Sequence, residues 1–318
     1  MLTRCQQMSW SRRRAGGSHC GSQYTEIADA LPCCVRLETD SRDSVKPYDL
    51  SAAGTKFYPT DDLSLMSVNS KHELVIIGAG GFGTVAASIA DSMNAVATRG
   101  NGAAPWDVIG YVDGDAAKGG TRHAERAVLG TIEEVSSGFR GVDLWFFCAI
   151  GDNRARAKMV ERAQSFGWKP ATLVHPSAII DSTVEIGAGS CIAPVVTVSH
   201  KAKIGAHVVV DSHVSIGHGA VLMDFCEIFS GARINGNCQV GEYALVGCNA
   251  TLLPGTLVGD RAVVGANSLA HGLIEPDATI FGVPARVLRR GLNPLSAQER
   301  GWIVQETPYG NHGSREDH

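Results

Sequence analysis

Four histidines, His200, His207, His213 and His218, lie in a segment whose other residues are mostly small and aliphatic, with Lys201, Lys203 and Asp211 the charged exceptions. Imidazole titrates near neutrality, so one such ring standing free can take a proton from an amine or hydroxyl as it attacks a carbonyl. Acyl chemistry of that kind also needs a donor aimed at the oxygen that becomes negative, a task backbone N–H groups can fulfil. His213 and His218 also have the spacing His-x4-His of two zinc ligands, although a reactive zinc needs a third protein ligand.

A second chemical candidate is Gly78-Ala79-Gly80-Gly81-Phe82-Gly83, a G-x-G-x-x-G that follows the apolar run Leu74–Ile77 and precedes helical apolar spacing over Thr84–Met93. Strand, glycine turn and helix in that order point backbone N–H groups at an anion such as a phosphate. A dinucleotide fold expects an acidic residue about 20 positions on. Here Asp113 lies 30 beyond Gly83, and residues 73–173 are too few for both halves of such a fold. A tight turn that binds nothing is the plain alternative.

The chain that must position these groups has 318 residues, enough for two domains, and a formal charge of −4. No lysine/arginine run occurs from residue 71 to 290, so neither nucleic acid nor an anionic membrane is expected as a partner, and small molecules are. The nine cysteines include no Cys-x-x-Cys pair, which favours reduced thiols in a cytoplasmic protein. No apolar run reaches the roughly 18 residues of a membrane span. Ser11-Arg-Arg-Arg14 lacks the apolar segment that a secretory signal requires.

Residues 1–70 are polar and without period, and are expected to be a disordered tail, with Met66 a candidate start. Strands are expected at Leu74–Ile77, Val108–Val112 (ending in Asp113-Gly114-Asp115) and Val142–Ile150, with a helix from Gly151-Asp-Asn-Arg154 to about Phe166. In that helix Asp152 or Asn153 is a cap, and Asn153 and Arg154 are candidates to close the glycine-loop pocket. Strands alternating with helices make residues 71–174 a small Rossmann-like parallel α/β domain.

From Pro176 the period becomes six. Stepping from Ile180 gives 15 aliphatic residues without a break, ending at Val264, with a small or β-branched residue two positions before each. That is the signature of a parallel β-helix, here about five coils of three hexads within residues 175–290. Cys226 and Cys238 fall on small inward positions and read as core. The repeat fades at Ala270, and Gly282-Val-Pro-Ala-Arg286 leads to a tail, 291–318, with a short helix expected at Ser296–Val304. His200, His218 and Gly236 are 18 apart and therefore share a corner on successive coils, leaving open backbone above His218.

The order GAGGFG, AIGDNRAR, LVHPSA, hexapeptide helix and GVPAR resembles the hexapeptide-repeat sugar acyltransferases. More narrowly, it resembles their subgroup of NeuD-type sialic acid O-acetyltransferases and nucleotide 4-amino-sugar N-acetyltransferases, over about residues 72–290. The resemblance implies a left-handed β-helix, a homotrimer, acetyl-CoA as donor, a sugar or nucleotide sugar as acceptor, and no metal. It puts Gly78, Gly80, Gly81, Gly83 and Asp113 at the nucleotide sugar. Phe82 and Gly114 stand where relatives carry a histidine and a second aspartate.

The same resemblance makes His218 the catalytic base, in Ser215-Ile-Gly-His218-Gly219. Asp211 matches a substrate-facing position, and is the candidate to supply, from a neighbouring coil or subunit, the carboxylate that Gly219 lacks. Gly236 matches the glycine whose N–H meets the thioester carbonyl, with Gly231 and Asn237 beside it, and Glu227 replaces a histidine near the acetyl group. Two other readings stand beside it. γ-Class carbonic anhydrases are β-helix trimers holding zinc through interface histidines, but here the third position is Cys191 and those enzymes lack an α/β domain. A catalytically inactive scaffold is the other, kept open by Gly219.

Overall fold

The computed structural model describes residues 71–290 except Asn101 and 139–142. The expectations for 1–70, including Met66, and for the tail with its short helix at Ser296–Val304 lie outside the described residues. In the first layer β1 (His72–Ile77), β2 (Trp106–Val112), β5 (Trp145–Cys148) and β6 (Lys169–Pro170) pair in parallel in the order β2-β1-β5-β6. Leu74 to Ile77 are buried without alternation, as a strand covered on both faces requires. Helix α1 (Gly81–Arg99) buries Gly83, Ala86, Ala87 and Ala90, one face at helical spacing. It runs six residues past the expected end at Met93.

Between β2 and β5 lie a short antiparallel hairpin, β3 (Arg122–His123) with β4 (Arg126–Ala127), and α2 (Ile132–Gly138). Helix α3 (Asn153–Ser165) follows β5, capped by Asp152, whose carboxylate accepts from the Ala155 N–H at 2.7 Å. No helix among the described residues is long and apolar enough to cross a membrane.

The second layer is a parallel β-solenoid of two-residue strands stacked in three ladders. Partners are 18 residues apart, as Cys191 with Val209, Thr197 with Ser215 and Lys203 with Val221. One residue of each strand points inward, and Ile192, Val210, Ile228 and Val246 are fully buried along one ladder. Cys226 and Cys238 are 0% exposed, and burial pushes the Cys226 thiol far above its ordinary range and that of Cys238 up to about 11, so they fill space rather than react.

The ladders hold eight, six and six strands, so the solenoid has about six turns rather than five. Leu173–Val174 already pairs with Cys191–Ile192 below the first counted hexad. At the other end the turn is shortened, with Leu257 pairing Leu273 and Val263 pairing Thr279, an offset of 16. The aliphatic step after Val264 therefore lands on Ala270 and then, four residues on, on Ile274, and a fixed period of six cannot follow it.

Candidate functional site

His200, His218 and Gly236 do share one corner of successive turns. The Gly219 N–H donates to the His200 carbonyl at 3.0 Å and the Asn237 N–H to the His218 carbonyl at 2.8 Å, stitching the three turns together. The His218 side chain is exposed and lies against Gly236. A β-carbon on Gly236 would stand 2.7 Å from its Nε2 and 2.9 Å from its Nδ1. One turn below, His200 Nδ1 is 3.0 Å from Thr183 Oγ1 and 3.4 Å from Asp181 Oδ1.

Gly219 sits in the left-handed region at φ +63, and a β-carbon there would come within 2.5 Å of Asn237 Oδ1. The amide of Asn237 thus occupies the space in which a residue-219 side chain would start. Only glycine meets both conditions without strain.

Asp211 and Gly231 lie elsewhere. Asp211 follows strand Val209–Val210, whereas His218 follows the next strand, Ser215–Ile216, so they stand at different corners. Asp211 Oδ1 accepts from the Ser212 N–H at 2.7 Å, its Oδ2 accepts from Ser230 Oγ, and the Gly231 N–H donates to the Ser212 carbonyl at 2.9 Å. His213 is on that corner as well, so the His-x4-His pair is split between two corners. Among the described residues no three His, Cys, Asp or Glu side chains gather as metal ligands would. Within one chain Gly236 and Asn237 are beside His218, and Gly231 and Asp211 are not.

The glycine loop divides its four residues between two tasks. Gly78 (φ +112) and Gly83 allow close approach, since a β-carbon on Gly78 would be 2.8 Å from the Ala149 carbonyl and one on Gly83 would strike the Gly78 carbonyl. Gly80 and Gly81 face open space at the start of α1. Asp113 braces the loop, its Oδ2 accepting from the Ala79 N–H and from Lys118 Nζ, both at 2.9 Å, and its Oδ1 from the Asp115 N–H at 3.0 Å. Burial pushes its carboxyl up, but these hydrogen bonds outweigh burial and hold it below the usual carboxylate range.

Sequence reasoning misses His123, whose Nε2 is 2.9 Å from Thr84 Oγ1 and 3.1 Å from the Gly80 carbonyl, with its ring edge-on to Tyr111. The β3–β4 hairpin brings it there from 43 residues away. A glycine pair at 119–120 marks the approach to that hairpin but gives no hint of where it folds.

Between the α/β layer and the solenoid lies a cavity of about 260 Å³. Phe82, Val85 and Gly151 wall it on one side and Cys191, Asp211 and Glu227 on the other. Glu227 is not a free counterpart to the imidazole expected near the acetyl group. It is 7% exposed, and its Oε2 is 3.4 Å from Nη1 of Arg156 on α3. Burial raises its carboxyl above the usual range, and the Arg156 charge opposes that rise. Arg154, a candidate to close the pocket, is exposed, while Asn153 Nδ2 donates to the Tyr243 carbonyl at 2.9 Å and pins α3 to the solenoid.

Residues 73–163 match the family described as PglD N-terminal domain. The chain is similar to the acetyltransferase domain of PglB from Neisseria gonorrhoeae, solved with acetyl coenzyme A. Identity is 28%, coverage is 69% of this chain and 100% of that one, and the TM-score is 0.58. It is similar also to a variant of perosamine N-acetyltransferase from Caulobacter crescentus, solved with CoA and GDP-perosamine. There identity is 26%, coverage 69% and 97%, and TM-score 0.58. Over 40 residues it is 48% identical to a putative lipopolysaccharide biosynthesis O-acetyl transferase, WbbJ, of Escherichia coli. That stretch is 13% of this chain and spans 20% of the length of that curated relative.

Proposed function

We propose that the chain is a hexapeptide-repeat sugar acyltransferase that moves an acetyl group from acetyl-CoA to a nucleotide-linked sugar, with His218 as general base. The observation that carries this reading is the His218 ring lying against Gly236. A base and a side-chain-free backbone meet at one corner, as attack on a thioester needs.

In this reading the nucleotide phosphates rest on the open start of α1 at Gly80 and Gly81, with Gly78, Gly83 and Asp113 shaping the loop. A hydroxyl, or an amine that has first released the extra proton of its ammonium form to solvent, attacks the thioester carbonyl carbon while His218 takes one proton from the attacking atom. The Gly236 N–H, with Gly231 and Asn237 on the acetyl-CoA side, stabilises the oxyanion. Collapse of that intermediate breaks the C–S bond, and CoA leaves as a thiol with the proton from the imidazole. No covalent acyl-enzyme and no metal are involved.

The corner of Asp211 and Gly231 differs from that of His218, so residues from both complete one site only when a second copy contributes. A homotrimer, in the cytoplasm, is the assembly this favours. Two carboxylates, Asp211 and Glu227, on one otherwise largely apolar cavity favour an amine, which arrives as a cation, over a hydroxyl.

The test is CoA-thiol release from acetyl-CoA against UDP-, GDP- and dTDP-amino sugars, with CMP-sialic acid included. Turnover that falls about 10²–10⁴-fold in His218→Ala, with CoA binding retained, is expected. Unchanged turnover removes His218 from the mechanism.

A further inference from the structure

Helix α3 carries a charge that the transfer step does not use. Arg156 is 1% exposed, and its guanidinium bridges the two layers. Nη1 donates to the Ile150 carbonyl at 2.9 Å and the Gly151 carbonyl at 3.4 Å, in the loop between β5 and α3. The same nitrogen is 3.4 Å from Glu227 Oε2, and Nη2 donates to the Phe225 carbonyl at 3.3 Å, on the solenoid.

As a fastening alone this is a poor choice. Two apolar side chains would fill the same junction without desolvating a charge pair, and Nε of Arg156 is buried with no partner. What the arginine does that apolar packing cannot is hold a carboxylate in place. Gly151 and Glu227 are opposite walls of the 260 Å³ cavity, so one side chain sets both.

We propose that Arg156 is a positioning residue of the acceptor cavity: it fixes the Gly151 loop against the solenoid and presents Glu227 as a carboxylate beside Asp211, where the acceptor amine enters. This rests on the acetyl-transfer reading above. The charges that act on Glu227 are Arg156 and Asp152 from α3 and Asp211 from the turn below. Only Arg156 favours the ionised form; burial and both aspartates oppose it. His207, buried nearby, also feels the Arg156 charge.

Steady-state kinetics on the full chain test this, with wild type, Arg156→Met, Arg156→Lys, Glu227→Gln and the Arg156→Met/Glu227→Gln pair. In Arg156→Met the acceptor KM is expected to rise about tenfold or more, the factor that one pK unit represents, with the KM for acetyl-CoA unchanged. The acid limb of kcat/KM, to which both His218 and Glu227 contribute, moves to higher pH in Arg156→Met and less in Arg156→Lys, and in Glu227→Gln keeps only the part that His218 sets. The double variant is no worse than the poorer single one, because both changes remove the same carboxylate. Should Arg156→Met fail to fold, the acid limb of Arg156→Lys carries the test. If the wild type turns over while acceptor KM and acid limb stay fixed in the folded variants, Arg156 is structural only. A wild type with no turnover on any acceptor overturns instead the acetyl-transfer reading on which this role rests.

Discussion

Gly236 leaves empty the space into which the His218 ring is folded, with Nε2 2.7 Å and Nδ1 2.9 Å from where a β-carbon would stand. Gly236 is not among the glycines with positive φ, so its backbone accepts alanine. Gly236→Ala therefore acts on His218 alone, pushing the ring away from the reacting carbonyl. A displaced base of this kind lowers kcat by on the order of 10²-fold. The loss in melting temperature caused by Gly236→Ala disappears when His218 is already alanine, which a double-mutant melt measures.

Gly219 has the opposite constraint, since both its backbone and its neighbour exclude a side chain. Gly219→Glu, which restores the acid usual after the histidine in the resembled family, is expected to lose about 1–2 kcal/mol of stability from the left-handed conformation alone. Asn237 Oδ1 adds a clash. Turnover does not improve. Pairing it with Asn237→Gly recovers the part of the loss due to the clash, as read by denaturant unfolding.

The His207 ring stacks on Phe225 at 4.9 Å, and Phe225 on Tyr243 at 5.2 Å, three equivalent corners in a column. Burial first, and the Arg156 charge second, depress its pKa from 6.5 to about 4. A pKa lowered by folding makes the neutral ring stabilising above about pH 6.5, and that stability is lost as pH falls towards 4. His207→Phe keeps the stack and removes the titration. The drop in unfolding free energy between those pH values then shrinks by on the order of 3 kcal/mol, and a drop of unchanged size would count against this assignment.

Asp113 holds the glycine loop by accepting from the Ala79 N–H, and Lys118 neutralises it. Asp113→Asn presents an amide that satisfies fewer of the three donors around it. Binding of UDP or GDP, followed by calorimetry, is expected to weaken about tenfold, the scale of one lost charge-assisted hydrogen bond. In the wild type the carboxylate's contribution to stability is full above the ordinary carboxylate range and fades as pH falls through its lowered pKa.

The solenoid is legible in the sequence because its interior admits one kind of residue at one spacing, from Ile180 to Val264. Adding or subtracting 18 also sorts the corners: it separates Gly231, in line with His213, from Gly236, in line with His218. The α/β strands are legible as apolar runs ending in glycine or aspartate. Arg156 is not, because nothing local distinguishes it from Arg154 two residues earlier, and its partner Glu227 is 71 positions away. The shortened turn is hidden for another reason. Ala270 is inward but too small to look like core, so in the sequence the period breaks off where it only changes length.

That change of length limits how such a chain can vary. Through most of the solenoid every ladder pairs at 18, so an insertion or deletion of any other size would slide all three ladders out of step at once. The 16-residue offset appears only in the last coil, beyond which the described residues add the antiparallel strand Ala285–Arg289. Descendants of this chain can therefore lengthen or shorten in whole coils while leaving the turns around His218 untouched, and can trim the ladders by smaller amounts in the last coil, as this chain does.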